Sequence, residues 1–437
     1  MNINICKRWH TSRLALLFSE NTQKNNLFSE THALQFKYGS LVAKKQYDLT
    51  DDLIDTYKKY TIIQPDDIIV NGLNLNYDFV TRRVALSEHK GIITSAYICL
   101  RPRKSISAKF YTYYLKALDS MKVFNGMGTG IRLTLSYDLM KNMALPVPLR
   151  DEQDQIVRYL DWQVSKINRL IAAKRKQITV LQEQLKHCIS DAVFRGISDD
   201  IILKDSGVEW IGTIPEHWSV IRCKYVFAER DERSIAGEEV HLSMSQKYGL
   251  VPDAKLDERR MLSESYAGGK ICYKDDLVLN RLKAHLGVFA LSPQKGVVSP
   301  DYTVLVPNTE RILPAYGEAV LKSDLCRREL RIRVRGIIEG FWRLYTDDFN
   351  TVVIPLPPLK EQEQIMEYLN TLNGKFTALK QNLEQEIATL QDLRTRLISD
   401  VVTGQMDVRS IEVPEFEYVG EVTGANEVEL EDSEEVD

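Results

Sequence analysis

Pro65-Asp66 followed by Glu88-His89-Lys90 is the arrangement in this sequence most suggestive of catalysis. It fits a loose nuclease pattern in which two carboxylates hold a metal ion and a lysine polarises the attack. The apolar Val84-Ala85-Leu86 supplies a strand-like lead into it. Other chemistry has little to stand on. The seven histidines show no metal-ligand spacing, and the six cysteines (Cys6, Cys99, Cys188, Cys223, Cys272, Cys326) form no CxxC pair. No metal site and no disulfide framework are expected, and a reducing cytoplasm fits best. There is no glycine-rich cofactor loop, no Walker A sequence and no Asn/Asp-Pro-Pro-aromatic stretch of the kind that binds a target amine. The Pro357-Pro358 pair follows Leu356, so the amide or acid that such a stretch needs is missing.

Nucleic-acid contact asks for Lys and Arg toward phosphates and for Arg, Asn and Gln toward base edges. Three clusters offer them. The first is Asn71, Asn74, Asn76, Arg82 and Arg83, with Asn280, Arg281, Lys283 and His285 at the matching place further on. The second is Arg101, Arg103 and Lys104. The third is Arg327, Arg328, Arg331, Arg333 and Arg335, leading to Trp342-Arg343, with Arg132 as its earlier counterpart. The plainer reading is that such residues are only solvated loop tips. The two asparagine loops are the first choice as readers, because each follows a buried strand and their residues differ strongly. The net charge of −4 hides an asymmetry. Glu412 to Asp437 holds 11 acidic residues and no basic one, so the rest of the chain is mildly basic. That tail, poor in aromatics, is expected to be disordered. No apolar run approaches the length of a membrane span.

The elements that would position these residues occur twice, 209 residues apart. Leu145-Pro-Val-Pro-Leu-Arg-Asp-Glu-Gln-Asp-Gln-Ile156 matches Ile354-Pro-Leu-Pro-Pro-Leu-Lys-Glu-Gln-Glu-Gln-Ile365, and the register runs on to Ile189-Ser-Asp over Ile398-Ser-Asp. The same offset pairs Trp9 with Trp218, Asp66-Asp67 with Asp275-Asp276, and Asn71 with Asn280. Chance matching of helical heptads could not place the tryptophans. The repeat also weakens the nuclease pattern, since its second copy reads Ser292-Pro-Gln-Lys295 and has no carboxylate.

Each unit joins a mixed region, with β-rich runs such as Ile68-Ile-Val70 and Thr303-Val-Leu-Val306 and a helix near 108–118, to one long helix. Leu160, Val164, Ile167, Ile171, Lys174, Ile178, Leu181, Leu185, Cys188 and Ala192 step by fours and threes, as do Leu369, Asn373, Phe376, Lys380, Leu383, Ile387, Leu390, Arg394, Leu397 and Val401. That is a heptad seam. A helix of about 40 residues reaches roughly 60 Å, too long to bury its stripe on its own small domain, so the other copy is the expected partner. The polar seam positions Lys174, Asn373, Lys380 and Arg394 would fix register.

Lys204-Asp-Ser-Gly-Val-Glu-Trp-Ile-Gly-Thr-Ile-Pro-Glu-His-Trp218 and the Pro-Leu-Pro-Pro-Leu-Lys-Glu-Gln-Glu-Gln-Ile stretch at 355–365 resemble type I restriction–modification specificity subunits. The first resembles the entry to a target-recognition domain, the second the start of a conserved helical region. The resemblance implies an α+β protein: two tandem mixed α/β target-recognition domains separated by two long helices that form an antiparallel coiled coil, a pseudo-twofold internal repeat. The expected divisions are 1–144 and 198–353 for the domains, 145–197 and 354–406 for the helices, and 407–437 for the tail. It further implies that each domain reads half of a bipartite site in double-stranded DNA, and that two modification subunits and restriction subunits assemble on the chain. The chain itself would hold no cofactor; S-adenosylmethionine, and ATP and magnesium for restriction, would belong to those partners. Gln153, Gln155, Gln362 and Gln364 in the first helical turns would be either caps or docking points for a modification subunit. Two other readings remain, a coiled-coil scaffold for proteins and a metal-dependent nuclease. If the duplicate's missing carboxylate is a fair guide, supercoiled plasmid stays uncut with magnesium by the wild-type chain and by Glu88→Ala alike in a gel assay.

Overall fold

The computed structural model describes residues 6–37, 39–44, 49–75, 82–130, 133–198, 200–245, 248–253, 266–336 and 342–420. It separates into two units, one made of residues 1–175 with 384–436, the other of 176–383. Within the first, Phe18–Glu20, Ile98–Pro102, Ile68–Val70 and Val84–Leu86 form a four-stranded antiparallel sheet in that spatial order. Within the second, Phe227–Arg230, Tyr302–Pro307, Leu277–Asn280 and Phe289–Leu291 repeat the order and the pairing. Apart from Asn280 at the end of the second, the central strands are β-branched or leucine and buried on both faces, as a covered sheet demands. Each is entered by a turn in which an aspartate adopts a left-handed conformation, Asp66 (φ 71°) in one and Asp275 (φ 68°) in the other. The next aspartate then accepts a backbone N–H: Gln64 N to Asp67 Oδ2 at 2.9 Å, Tyr273 N to Asp276 Oδ2 at 2.8 Å.

One face of the first sheet is covered by the helix Ala108–Ser120, which Ser107 caps through its hydroxyl to Phe110 N. Its Phe110, Tyr111, Tyr114 and Leu118 are buried in one core with Leu14, Phe18 and Leu100. The second unit uses Pro314–Lys322 in the same place. The correspondence can be checked on a single hydroxyl. Tyr111 Oη donates to Pro146 O at 2.9 Å, and Tyr316 Oη to Pro355 O at 3.4 Å.

The long helices run over Arg150–Arg195 and Leu359–Val402. In the first unit, Ile156, Tyr159, Leu160 and Val164 of one share a core with Ile398, Val401 and Val402 of the other. Arg394 Nη1 donates to Asn168 Oδ1 at 2.8 Å, and Lys174 pairs with Glu386. Residue numbers rise on one helix as they fall on the other, so the two segments are antiparallel within that unit. In the second unit Ala192 and Val193 join Ile365 and Leu369 in the core. The expected polar seam is only partly present: Arg394 is buried, but Asn373 is exposed on the solvent side.

Trp9 lies in the core that holds Val401 and Val402, and Trp218 in the core that holds Ala192 and Val193. Each tryptophan therefore packs on the end of the long helix that belongs to the other sequence copy. Gly404 permits the close approach on Trp9; a Cβ there would stand 2.8 Å from the indole.

Two expectations fail here. The tail is not disordered from 407 on. Val408 is buried, Gln155 Nε2 donates to Val408 O (3.1 Å) and Ile411 O (2.7 Å), and Asn168 Nδ2 donates to Val419 O (2.9 Å). Its composition could not supply partners for its own carbonyls, but side chains of the first long helix do. The remainder from 421 lies outside the described residues. The second failure concerns Gln153 and Gln362, which are buried and cannot be docking points. Gln153 accepts Ser107 N (2.9 Å) and donates to Pro148 O (2.9 Å); Gln362 accepts Leu313 N (2.7 Å) and donates to Arg311 O and Pro357 O (both 2.9 Å). They fasten each helix start to its own domain. Gln155 is engaged with the tail, and Gln364 alone of the four is exposed. Gln362→Leu would strand one N–H and two carbonyls in an apolar setting, and we expect it to cost about 2–4 kcal/mol, read as a lowered midpoint in denaturant titration.

Candidate nucleic-acid interface

The central strand of each sheet runs out into a loop, and the first asparagine of each loop shapes it. Asn71 Oδ1 accepts Leu73 N at 3.1 Å, and Asn280 Oδ1 accepts Leu282 N at 3.1 Å. These are Asx turns. The side-chain oxygen of each repeated asparagine therefore helps to hold its loop. Each loop is next tied to a segment far along the chain by the same backbone bond: Leu135 N to Gly72 O at 2.8 Å, and Leu344 N to Arg281 O at 3.0 Å. Sequence reading missed this tie, although Leu135 and Leu344 keep the 209-residue offset. Gly72 is required in the first unit, since a Cβ there would lie 2.5 Å from Leu135 O.

Around this shared skeleton the two units carry different residues. In the second unit the tie brings together what the sequence had in separate clusters. Arg281 and Lys283 sit on the loop, and the left-handed Gly287 that ends it packs on the side chain of Arg327. The helix Asp324–Arg331 buries Cys326, Glu329 and Leu330 and exposes Arg328 and Arg331. Arg335 and Arg343 exchange backbone hydrogen bonds as an antiparallel bridge, at 2.9 and 2.8 Å. In the first unit the corresponding bridge is Thr129 with Thr134. One skeleton thus presents arginines in one copy and threonines in the other.

Several candidate cations are committed to the fold. Arg83 is buried, and its guanidinium donates to Asn71 O (3.2 Å), Leu73 O (2.7 Å) and Asn74 O (3.3 Å). It cannot reach DNA; it is the internal peg on which the loop hangs. Arg101 makes a two-pronged bond to Asp67, at 2.8 and 2.7 Å, and the carboxylate raises the guanidinium's pKa. A pair this well formed is a structural brace. The second unit braces Asp276 from a different strand, through Arg230 Nε at 3.0 Å. Arg333 is held by Glu329 and Thr351, and Arg335 is paired with Asp348 though exposed. Arg281 donates to Asp301 O at 2.7 Å. Arg82 is partly buried beside Gly39.

Asn74, Arg103, Lys104, Lys283, Arg331 and Arg343 remain exposed. Arg103 and Lys104 line an open groove that also receives Lys109 and Arg150. Both of the latter are engaged, Lys109 with Asp161 at 2.8 Å and Arg150 with Asp154 at 2.9 Å. Asn76, Arg132 and the side chain of His285 lie outside the described residues. As for the nuclease pattern, Lys90 Nζ turns to Glu30 at 3.3 Å, and the described residues hold no cluster able to bind a metal ion. The described helices include none long and apolar enough to cross a membrane. Arg331→Ala and Arg343→Ala should each weaken DNA binding several-fold and flatten the salt dependence by about one counterion, with the melting temperature unchanged. Arg83→Ala should instead lower stability by about 2–4 kcal/mol, seen by calorimetry.

The chain as a whole is similar to known proteins. The family model for the type I restriction modification DNA specificity domain matches residues 8–180 and 258–389. The MjaVIII specificity subunit of a type I restriction enzyme from Methanocaldococcus jannaschii is 22% identical over 385 residues, covering 83% of this chain and 85% of that protein. The EcoKI specificity subunit from Escherichia coli is 20% identical over 328 residues, 70% of this chain and 67% of that one. Among solved structures, a chain from work on complex assembly and conformational transition of the type I R-M system superposes with a TM-score of 0.64 at 14% identity, over 92% of this chain and 99% of that one. With the model spanning more than half of the sequence and both units built alike, the chain belongs to the type I restriction–modification DNA specificity domain family.

Proposed function

We propose that this chain is the DNA-recognition subunit of a type I restriction–modification enzyme, and that each unit reads one half of a bipartite site. The observation that carries this is the loop skeleton. Two units keep the same Asx turn and the same backbone tie, yet present unlike side chains at the tip. A structural loop would have no need to diverge so sharply, whereas two readers of different half-sites must. Lys283, Arg331 and Arg343 on one unit and Asn74, Arg103 and Lys104 on the other are the exposed groups suited to phosphates and base edges.

The long helices are the scaffold in this reading. Their antiparallel pairing in the first unit and their heptad seams support a coiled coil whose length sets the spacer between half-sites. The outer faces of those helices, with exposed Gln364 on one of them, would receive two modification subunits, and restriction subunits would join them. The chain itself performs no chemistry; S-adenosylmethionine, ATP and magnesium act on the partners. A reducing compartment suits this reading, since the six cysteines form no CxxC pair.

The purified chain alone should transfer no methyl group from S-adenosylmethionine. With its modification subunits it should give adenine methylation confined to one bipartite sequence, mapped by single-molecule sequencing of the product DNA. Methyl transfer by the isolated chain would sink the non-catalytic assignment. Binding indifferent to salt and sequence would favour the protein scaffold instead.

A further inference from the structure

Arg335 and Arg343 stand directly opposite each other in the second unit and exchange both backbone hydrogen bonds, at 2.9 and 2.8 Å. Residues paired in this way carry their side chains on one face of the bridge, as close neighbours. Two like charges so placed oppose folding. The fold does not demand them. Thr129 and Thr134 make the same bridge in the first unit, at 3.2 and 2.9 Å. The bridge is tied to the loop after the central strand, because Leu344, next to Arg343, donates its N–H to Arg281 O.

One of the two arginines is held in place. Arg335 donates through Nη2 to Asp348 Oδ1. Asp348 belongs to the short helix Thr346–Thr351, and its side chain is 15% exposed against 70% for Arg335. The other carboxylate oxygen, Oδ2, is buried and has no hydrogen-bond partner among the described residues. Leu139 takes the place of Asp348 in the first unit, as Thr129 takes that of Arg335. The contacts that hold each loop recur in both units; this one does not. It also differs from the pairs that use up an arginine. Arg101 turns both Nε and Nη2 on Asp67, and Arg333 places Nε on Glu329 at 3.0 Å and Nη1 on Thr351 at 2.7 Å. Arg335 commits Nη2 alone and, among the described residues, keeps its Nε and Nη1 donors for another partner.

Charge and geometry say which partner that is. Phosphate is met by net positive charge, and a mobile lysine or arginine suffices. Arg335 with Asp348 is a neutral pair, so its pull on phosphate is weak. Its planar fork, however, is fixed in direction before any ligand arrives. Such a fork suits two neighbouring acceptors in one plane, and in the major groove guanine offers them as N7 and O6. Lys283, Arg331 and Arg343, exposed on the same unit, supply the net charge that phosphates require. We propose that Arg335 reads a guanine in the half-site of the second unit, and that Asp348 is the residue that positions it. The inference rests on the recognition role proposed above.

The test uses the full chain with its modification subunits and a library of random duplexes, from which bound sequences are selected and read. The wild-type chain should enrich a bipartite sequence with guanine fixed at the position that Arg335→Gln alters. Glutamine matches adenine N6 and N7, so this variant should switch that one base from guanine to adenine and leave the other half-site as it was. A second arm needs no variant. Replacing that guanine by 7-deazaguanine, which lacks the N7 acceptor, should weaken wild-type binding about ten-fold. Asp348→Asn should still select guanine, with its preference over the other bases reduced about ten-fold, an effect that a merely stabilising acid would not produce. If Arg335→Gln weakens every sequence equally and flattens the salt dependence, Arg335 is a phosphate contact and the proposal is overturned. Wild-type binding indifferent to 7-deazaguanine at every guanine of the site would overturn it too. Should the wild-type chain enrich no sequence at all, the recognition role fails and this assignment with it. A bipartite consensus that Arg335→Gln leaves untouched sinks the assignment alone.

Discussion

Everything in each unit depends on how firmly the long helix is joined to the domain that precedes it, and that junction is a buried glutamine. An amide in the first turn of a helix usually faces water or caps the turn beside it. Gln153 and Gln362 instead point inward and spend donor and acceptor on backbone groups of the domain. Buried in an apolar environment, such bonds are costly to break, because neither partner has water to fall back on. The helix start therefore cannot swivel on its domain without exposing several unsatisfied groups at once. At the opposite end of each helix a tryptophan provides the second anchor through packing rather than polarity.

The duplicated architecture divides the residues into those that keep the frame and those that decorate it. The frame includes the left-handed aspartates before the central strands, the carboxylates that cap those turns, the Asx turns and the Leu135 and Leu344 backbone ties. The decoration is concentrated at the loop tips and on Asp324–Arg331. Some frame roles are kept by different residues: Asp67 and Asp276 are each braced by an arginine, but from different strands. The geometry is maintained while the residue that maintains it changes.

Much of this was legible before any coordinates. The repeat gave the two-unit plan, the heptads gave the helices, and the Ile68-Ile-Val70 run gave a central strand. The site was less legible, for a definite physical reason. A residue type states what a side chain can do, and the surroundings decide whether it is free to do it. Arg83 and Arg101 look like phosphate ligands until three carbonyls are found converging on one and Asp67 on the other. Gln153 looked like a surface group because its neighbours in sequence are acidic, yet the helix turns its face inward. The tail misled in the opposite sense: its composition is that of a disordered segment, but the donors that order it sit some 250 residues away on the first helix.

The first unit is closed by residues from near the end of the chain. Ile398, Val401, Val402 and Val408 are buried in the same core as Trp9, Phe18 and Phe110. On the ribosome, the first domain therefore emerges with its core open and waits for the whole second domain to be made before its last hydrophobic neighbours arrive. The second unit, by contrast, is built from one uninterrupted stretch of chain. The order of synthesis is thus the reverse of the order in which the two cores can be completed, and for that interval apolar surface of the N-terminal domain is left for chaperones to cover.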